Sequence, residues 1–207
     1  MKMDFLPKLA LKTCALTLAI AATASCTTMA TGADYQTSNA QTTANTTSTT
    51  ALALGNTATA GGSNDTVAIG NMANAGLNSA TAVGGQANAA GLGSTSIGWQ
   101  SKATAERAQA FGHLANASGV RSTAVGEAAA AQGANSVALG NKSMAGGMNS
   151  IAIGNGAMAA KNNQVVLGNA GQVQSSTAAQ SGTVRIVTID DNGTLGTMMV
   201  DYYKSAK

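Results

Sequence analysis

Apolar, tiny and polar residues recur along most of this chain in a fixed order. Asn135, Ser136, Val137, Ala138, Leu139, Gly140 and Asn141 return as Asn149, Ser150, Ile151, Ala152, Ile153, Gly154 and Asn155. The closing glycine appears at Gly70, Gly84, Gly98, Gly112, Gly126, Gly140, Gly154 and Gly168, always fourteen residues apart, and Gly55 lies fifteen before Gly70. The residue before each glycine is apolar, from Leu54 and Ile69 to Leu139, Ile153 and Leu167. The residue two before is tiny at Ala53, Ala68, Ala82, Ser96, Ala110, Ala124, Ala138 and Ala152, and Val166 departs from this. Three before, Val67, Thr81, Thr95, Thr123, Val137, Ile151 and Val165 are β-branched. Such a burst is a short strand with a period of two.

A second alternation follows each glycine by three and five residues, as at Ala58 and Ala60, Ala73 and Ala75, Ala87 and Ala89, and Ala157 and Ala159. Turn residues come next, at 62–64, 76–78, 91–93, 133–135 and 146–149. Two strands and two turns in fourteen residues predict one coil of a flattened β-solenoid. A glycine in every coil and the turn residues between strands oppose a helix. Nine coils at the strand spacing give a rod of about 40 Å. Periodicity alone does not say which side of each strand faces inward. We assign the apolar residue before the glycine, with the alanines at plus three and plus five, to the interior. The alanine two before the glycine then faces outward, where its size would let another backbone approach. So thin a coil buries little apolar area at about 25 cal/mol per Å², which makes lateral association of chains the expected source of stability.

The flanks read differently. Val184 to Ile189 alternates, Asp190 to Gly193 forms a strong turn, and Thr194 to Val200 can return, which predicts a β-hairpin that caps the solenoid or locks chains together. At the other end, Lys2, Lys8 and Lys12 precede an apolar run from Ala15 to Ala24, the layout of a signal peptide over residues 1–25. Thr23, Ala24 and Ser25 before Cys26 loosely match a bacterial lipobox, so Cys26 is a candidate lipidation site. Cleavage further on, after Ala30, is the alternative. Residues 26–50, rich in threonine, serine, alanine and asparagine, read as a polar flexible spacer with a degenerate first coil near its end. The repeat array is expected over 51–169, and a linker with the hairpin over 170–207.

Composition fits this picture. Aromatics are 3% and charged residues 9%, too few rings for a wide core and too few charges for a typical disordered chain. The net charge of +3 comes largely from the leader, since the rest carries 8 basic and 7 acidic groups. A nearly neutral surface gives no case for nucleic acid or an anionic membrane as partner. With Cys14 in the leader and Cys26 at its edge, no disulfide is expected in the mature chain.

The phrase Asn-Ser-Val-Ala-Leu-Gly-Asn at fourteen-residue spacing resembles the head domain of YadA-like trimeric autotransporter adhesins, and Asn163 to Asn169 looks like a last head repeat. The resemblance implies a left-handed parallel β-roll and a homotrimer of three rolls side by side. The family's neck, coiled-coil stalk and C-terminal membrane anchor have no counterpart in this sequence, and a lipid on Cys26 could stand in for the anchor. Similar repeats occur in phage tail fibres, but the signal peptide favours a bacterial surface or secreted protein.

Candidate chemistry is sparse. His113 is the single histidine and follows Gly112 in a slot held elsewhere by Asn71, Asn141 and Asn155. Acyltransferases of the hexapeptide β-helix type use a catalytic histidine, but their repeat is six residues, so His113 reads as a surface variant. Asp65, Glu106, Glu127 and Arg121 are scattered, unlike a pectinase-type acidic cluster. Gly140 to Ser143 breaks the phosphate-loop order. Asp190 and Asp191 fit a turn better than a calcium loop. Thr81, Thr95 and Thr123 lack the second threonine of an ice-binding ladder. Trp99 takes the slot after Gly98, and as an exposed tryptophan it is a candidate ligand contact. The expected function is therefore non-enzymatic and cofactor-free: a trimeric head on the cell surface or outer membrane, or secreted, attaching to host matrix, cells or other bacteria. A structural spacer or remnant of a larger adhesin is the alternative.

Overall fold

The computed structural model describes residues 43–44, 50–181 and 185–198. Two parallel sheets of nine strands form the walls of the solenoid. Three-residue strands from Leu52–Leu54 to Val165–Leu167 build the first sheet. Two-residue strands from Thr43–Ala44 to Met158–Ala159 build the second. Thr43–Ala44 pairs with Thr59–Ala60, so a first coil does lie near the end of the polar segment. The register never slips: Val137, Ala138 and Leu139 stand over Ile151, Ala152 and Ile153.

The interior departs from the expected assignment in two columns, both on the first sheet, which exchange sides. The alanines at plus three and plus five are buried, as expected. The alanine two before the glycine is buried as well, from Ala53 to Ala152, and so is the residue four before it, such as Ser136. The apolar residue before the glycine faces out: Leu139 is 43% exposed, whereas Ala138 beside it is 0% exposed. The reason is width. Among the described residues no fully buried side chain is larger than threonine, so walls this close together leave no room for leucine. Several buried serines meet their hydrogen-bond needs locally: the hydroxyls of Ser94, Ser136 and Ser150 donate to the carbonyls of Gly91, Gly133 and Gly147 at 2.6–2.7 Å, whereas the buried Ser122 hydroxyl has no partner among the described residues.

Each coil turns twice, and each turn places one residue in the left-handed helical region, beside the positive φ of the repeat glycine at the first corner. At the first corner these include Met72, Gln86, Gln100, Leu114, Ala128 and Lys142, and at the second Ser79, Arg107, Arg121, Asn135, Asn149 and Asn163. Few of these favour the left-handed region. The turn is held because it aims the amide along the rod. Leu114 N–H donates to Trp99 O at 3.0 Å, and Arg121 N–H to Glu106 O at 2.9 Å, so interchain-style ladder bonds continue around the corners.

The repeat glycine carries two demands. Gly140 has φ of 133°, and a Cβ there would come within 2.6 Å of Gly154 O in the next coil. A side chain would therefore wedge the stack apart.

Beyond the last coil stands a helix that the sequence reading treated as linker, Ala170–Ala178. Asn169 and Gln172 cap it reciprocally: Gln172 N–H donates to Asn169 Oδ1 at 3.0 Å, and Asn169 N–H to Gln172 Oε1 at 2.9 Å. The hairpin forms as expected, with Ile186–Ile189 antiparallel to Leu195–Met198. The outermost expected positions, Val184 and Val200, lie outside the described residues. Among the described residues the hairpin strands pack on no strand of the coils.

Candidate functional site

Two surface features distinguish the array from a bare scaffold. The first is the outer face of the first sheet. Its apolar column before the glycine includes Ile97 and Ile153, both exposed, and ends at Leu167, which is 61% exposed. The β-branched column beside it contributes Val67, Val137, Ile151 and Val165. Among the described residues nothing covers this strip, which runs the length of the rod. Contiguous exposed apolar surface of this kind marks an interaction face. The sequence reading placed these side chains in the core, so it missed the face. The alternation that identified the strands also contained it.

The second feature is the corner that follows the repeat glycine. One residue per coil occupies this slot, and in register stacking it becomes a column: Asn71, Gly85, Trp99, His113, Glu127 and Asn141. Trp99 and His113, placed in the same slot from sequence, are neighbours. Their rings stack with centroids 5.0 Å apart and planes 13° from parallel. His113 Nδ1 lies 3.8 Å from Glu127 Oε1, and Asn141 Nδ2 donates to Glu127 Oε2 at 3.1 Å. Trp99 is 47% exposed, as expected for a corner position. His113 thus has an aromatic ring and a carboxylate as neighbours, and among the described residues no hydrogen bond joins it to a hydroxyl. That arrangement orders the corner surface around the indole.

The remaining candidates resolve into structure. Gly140 to Ser143 is a corner in which the buried Ser143 hydroxyl donates to Gly140 O at 2.9 Å. Glu106 pairs with Arg107 at 3.6 Å on the surface. Asp190 closes the hairpin turn by accepting from the N–H of Thr194 at 2.7 Å and of Asn192 at 3.0 Å. The Thr194 N–H above all holds the Asp190 carboxyl below its usual range, with Asn192 adding to it. Among the described residues no three of the His, Cys, Asp and Glu side chains gather as a metal site, and no helix is long and apolar enough to cross a membrane. Cys26 lies outside the described residues.

A parallel β-solenoid of fourteen-residue coils with a small-residue core is thus the class of structure. Its coils match a known repeat. Residues 78–157 match the YadA head domain repeat in overlapping pairs of copies at 78–101, 89–115, 103–129, 117–143 and 131–157. The coils over 78–157 are thus similar to YadA head repeats. Among solved structures, the collagen-binding domain of the Yersinia adhesin YadA is 26% identical, covering 64% of this chain and 79% of that chain with a TM-score of 0.41. No curated protein sequence matches.

Proposed function

We propose that the chain is an exported, non-enzymatic adhesin head that works as a homotrimer on the bacterial surface. The observation that carries this reading is the exposed apolar strip on the first sheet, on coils that match YadA head repeats. A soluble rod with such a strip gains stability when the strip is covered, at about 25 cal/mol per Å² of apolar area. Three copies placing that face together would leave the second sheet and the corners outward. The exposed apolar side chains of the hairpin, Val187, Ile189, Leu195 and Met198, suit a lock between chains.

Attachment follows from repetition. Each chain presents the same corners and second-sheet face, and three chains triple them, so weak contacts add up to avidity. Host matrix and cell surfaces are the ligand class, and collagen is the first probe to try. Residues 1–25 act as the export signal, residues 26–50 as a spacer, and a lipid on Cys26 as the anchor. Mass spectrometry of the mature N-terminus tests the anchor: a diacylated Cys26 is expected, and cleavage after Ala30 would remove it. Adhesion is tested by binding the intact protein to immobilised collagen and to host cells, beside a version shortened by two whole coils. Dose-dependent attachment that weakens on shortening is expected. Attachment to neither surface would favour a structural spacer.

A further inference from the structure

We propose that the Trp99 corner is a carbohydrate subsite that holds a neutral pyranose ring against the indole. This rests on the adhesin reading above and names the ligand class of one place on it.

The indole is held before any ligand arrives. On one side it stacks on His113, at 5.0 Å between centroids. On the other side the slot belongs to Gly85, where a Cβ would come within 3.1 Å of Trp99 Cδ1. A side chain there would contest the position of the ring. The slot next to a tryptophan thus holds glycine, while Asn71, Asn141 and Asn155 fill it elsewhere. A large aromatic surface that is half exposed and already ordered loses little conformational freedom on binding.

The groups around the ring set the chemistry. In the next column of the same two coils, Gln100 Nε2 donates to Gln86 Oε1 at 2.8 Å, with Gln86 exposed and Gln100 half-buried. Along the slot column, past His113, stands the Glu127 carboxylate, 58% exposed. The corner therefore offers a flat apolar face bordered by neutral amide donors and acceptors and one negative charge. A pyranose has the complementary form, with a C–H face for the ring and a rim of hydroxyls for the amides. Glu127 opposes anionic sugars and phosphates. A quaternary ammonium ion prefers a cage of several rings, and this corner has one indole. The slot occurs once per chain with these residues, so an assembly of three chains presents three subsites.

Trp99 is the sole tryptophan, so intrinsic fluorescence reports on this corner alone. The full chain is titrated with the β-linked tetramer of N-acetylglucosamine and with cellotetraose. A saturable spectral shift with at least one of them is expected. On immobilised tetramer, Trp99→Ala should lose about tenfold or more in affinity, as for a central aromatic contact. Gly85→Asn, which keeps the indole but crowds it, should weaken binding by a smaller factor. Circular dichroism checks that both variants keep the solenoid. No shift with either tetramer, equal binding by Trp99→Ala, a shift only with an aromatic peptide, or an indole shielded from iodide in the intact protein would each overturn the subsite. Cell attachment that survives Trp99→Ala unchanged would overturn the subsite and leave the adhesin reading standing. Tetramer binding by a protein that attaches to no cell or matrix would do the reverse.

Discussion

The two walls of the solenoid share one interior and differ in what they turn outward. Inside, both present alanine and serine, level after level. Outside, the first sheet shows Val67, Ile69, Val125, Val137, Leu139, Ile151 and Ile153, while the second shows Thr59, Asn74, Asn88, Lys102 and Asn116 before passing to Ala130, Met144 and Met158. The interior of so thin a coil cannot use large side chains. Those the chain does carry were therefore placed where a neighbour, and not the opposite wall, would bury them. In the proposed assembly, this fold is completed by partners on one side only. The Asn74–Asn88 side-chain bond of 3.0 Å on the second sheet shows the alternative, a wall finished by its own polar ladder in contact with water.

Four expected outcomes test this contrast. The largest concerns the outer faces. Leu139→Asp with Ile153→Asp puts two charges on the apolar strip and should dissociate the assembly, because a charge left unpaired in an interface costs several kcal/mol. Asn116→Asp with Ala130→Asp puts the same two charges on adjacent coils of the second sheet and should leave the mass unchanged by sedimentation. Equal behaviour of the two double variants would erase the distinction between the walls.

Next comes the contrast between inside and outside on a single strand. Ala138→Leu forces a large side chain into the closed interior and should cost about 1–3 kcal/mol in denaturant unfolding, at the upper end because the stacked coils on both sides are fixed. Leu139→Ile, one residue on and facing out, should change stability by less than about 1.5 kcal/mol. The opposite ranking would restore the assignment that leucine fills the core.

A smaller gain is expected at the corners. Leu114 sits at φ of 58°, where asparagine is better tolerated. Leu114→Asn should stabilise the chain by roughly 0.5–1 kcal/mol, a fraction of the 1–2 kcal/mol that the left-handed region costs an ordinary residue. A loss of stability would mean that the leucine makes a contact outweighing its backbone.

The smallest effect lies outside the solenoid. The folded hairpin holds the Asp190 carboxyl lower than an unfolded chain would. A depressed carboxylate contributes stability that is present above its unfolded range and fades as pH falls through the folded value. Protection of the Thr194 amide, its exchange rate compared with the intrinsic rate at each pH, should therefore fall as the solution is acidified through the carboxylate range. Asp190→Asn should flatten that dependence. A pH profile identical in both proteins would show that the carboxylate does not hold the turn.

Much of this was legible in the sequence, because fourteen-residue periodicity constrains strands, turns and stacking at once. It gave the coil, the register, the hairpin and the shared slot of Trp99 and His113. It could not by itself orient the strands. Ala138 and Leu139 alternate with equal regularity, and a small residue at every level suits either close approach by another chain or a narrow interior. Wall separation decides, and that is a property of the closed coil. The left-handed corner residues were hidden for a similar reason. Met72, Leu114 and Arg107 carry no turn preference of their own, and ladder bonds between coils impose the conformation. The helix after Asn169 lacks an apolar stripe, yet asparagine three residues before glutamine was a readable capping signal. The Trp99 corner was half legible. The period puts Gly85, Trp99, His113 and Glu127 in one column, but ring stacking needs the corner geometry to bring it about.

In the proposed assembly, copies of this chain bury the outer face of the first sheet against one another. Sedimentation equilibrium of the intact protein, with the Leu139→Asp, Ile153→Asp variant alongside, tests it most directly. The account predicts three times the chain mass for the intact protein and a single chain for the variant. A single-chain mass for the intact protein, or a trimer that withstands two charges on that face, would contradict it.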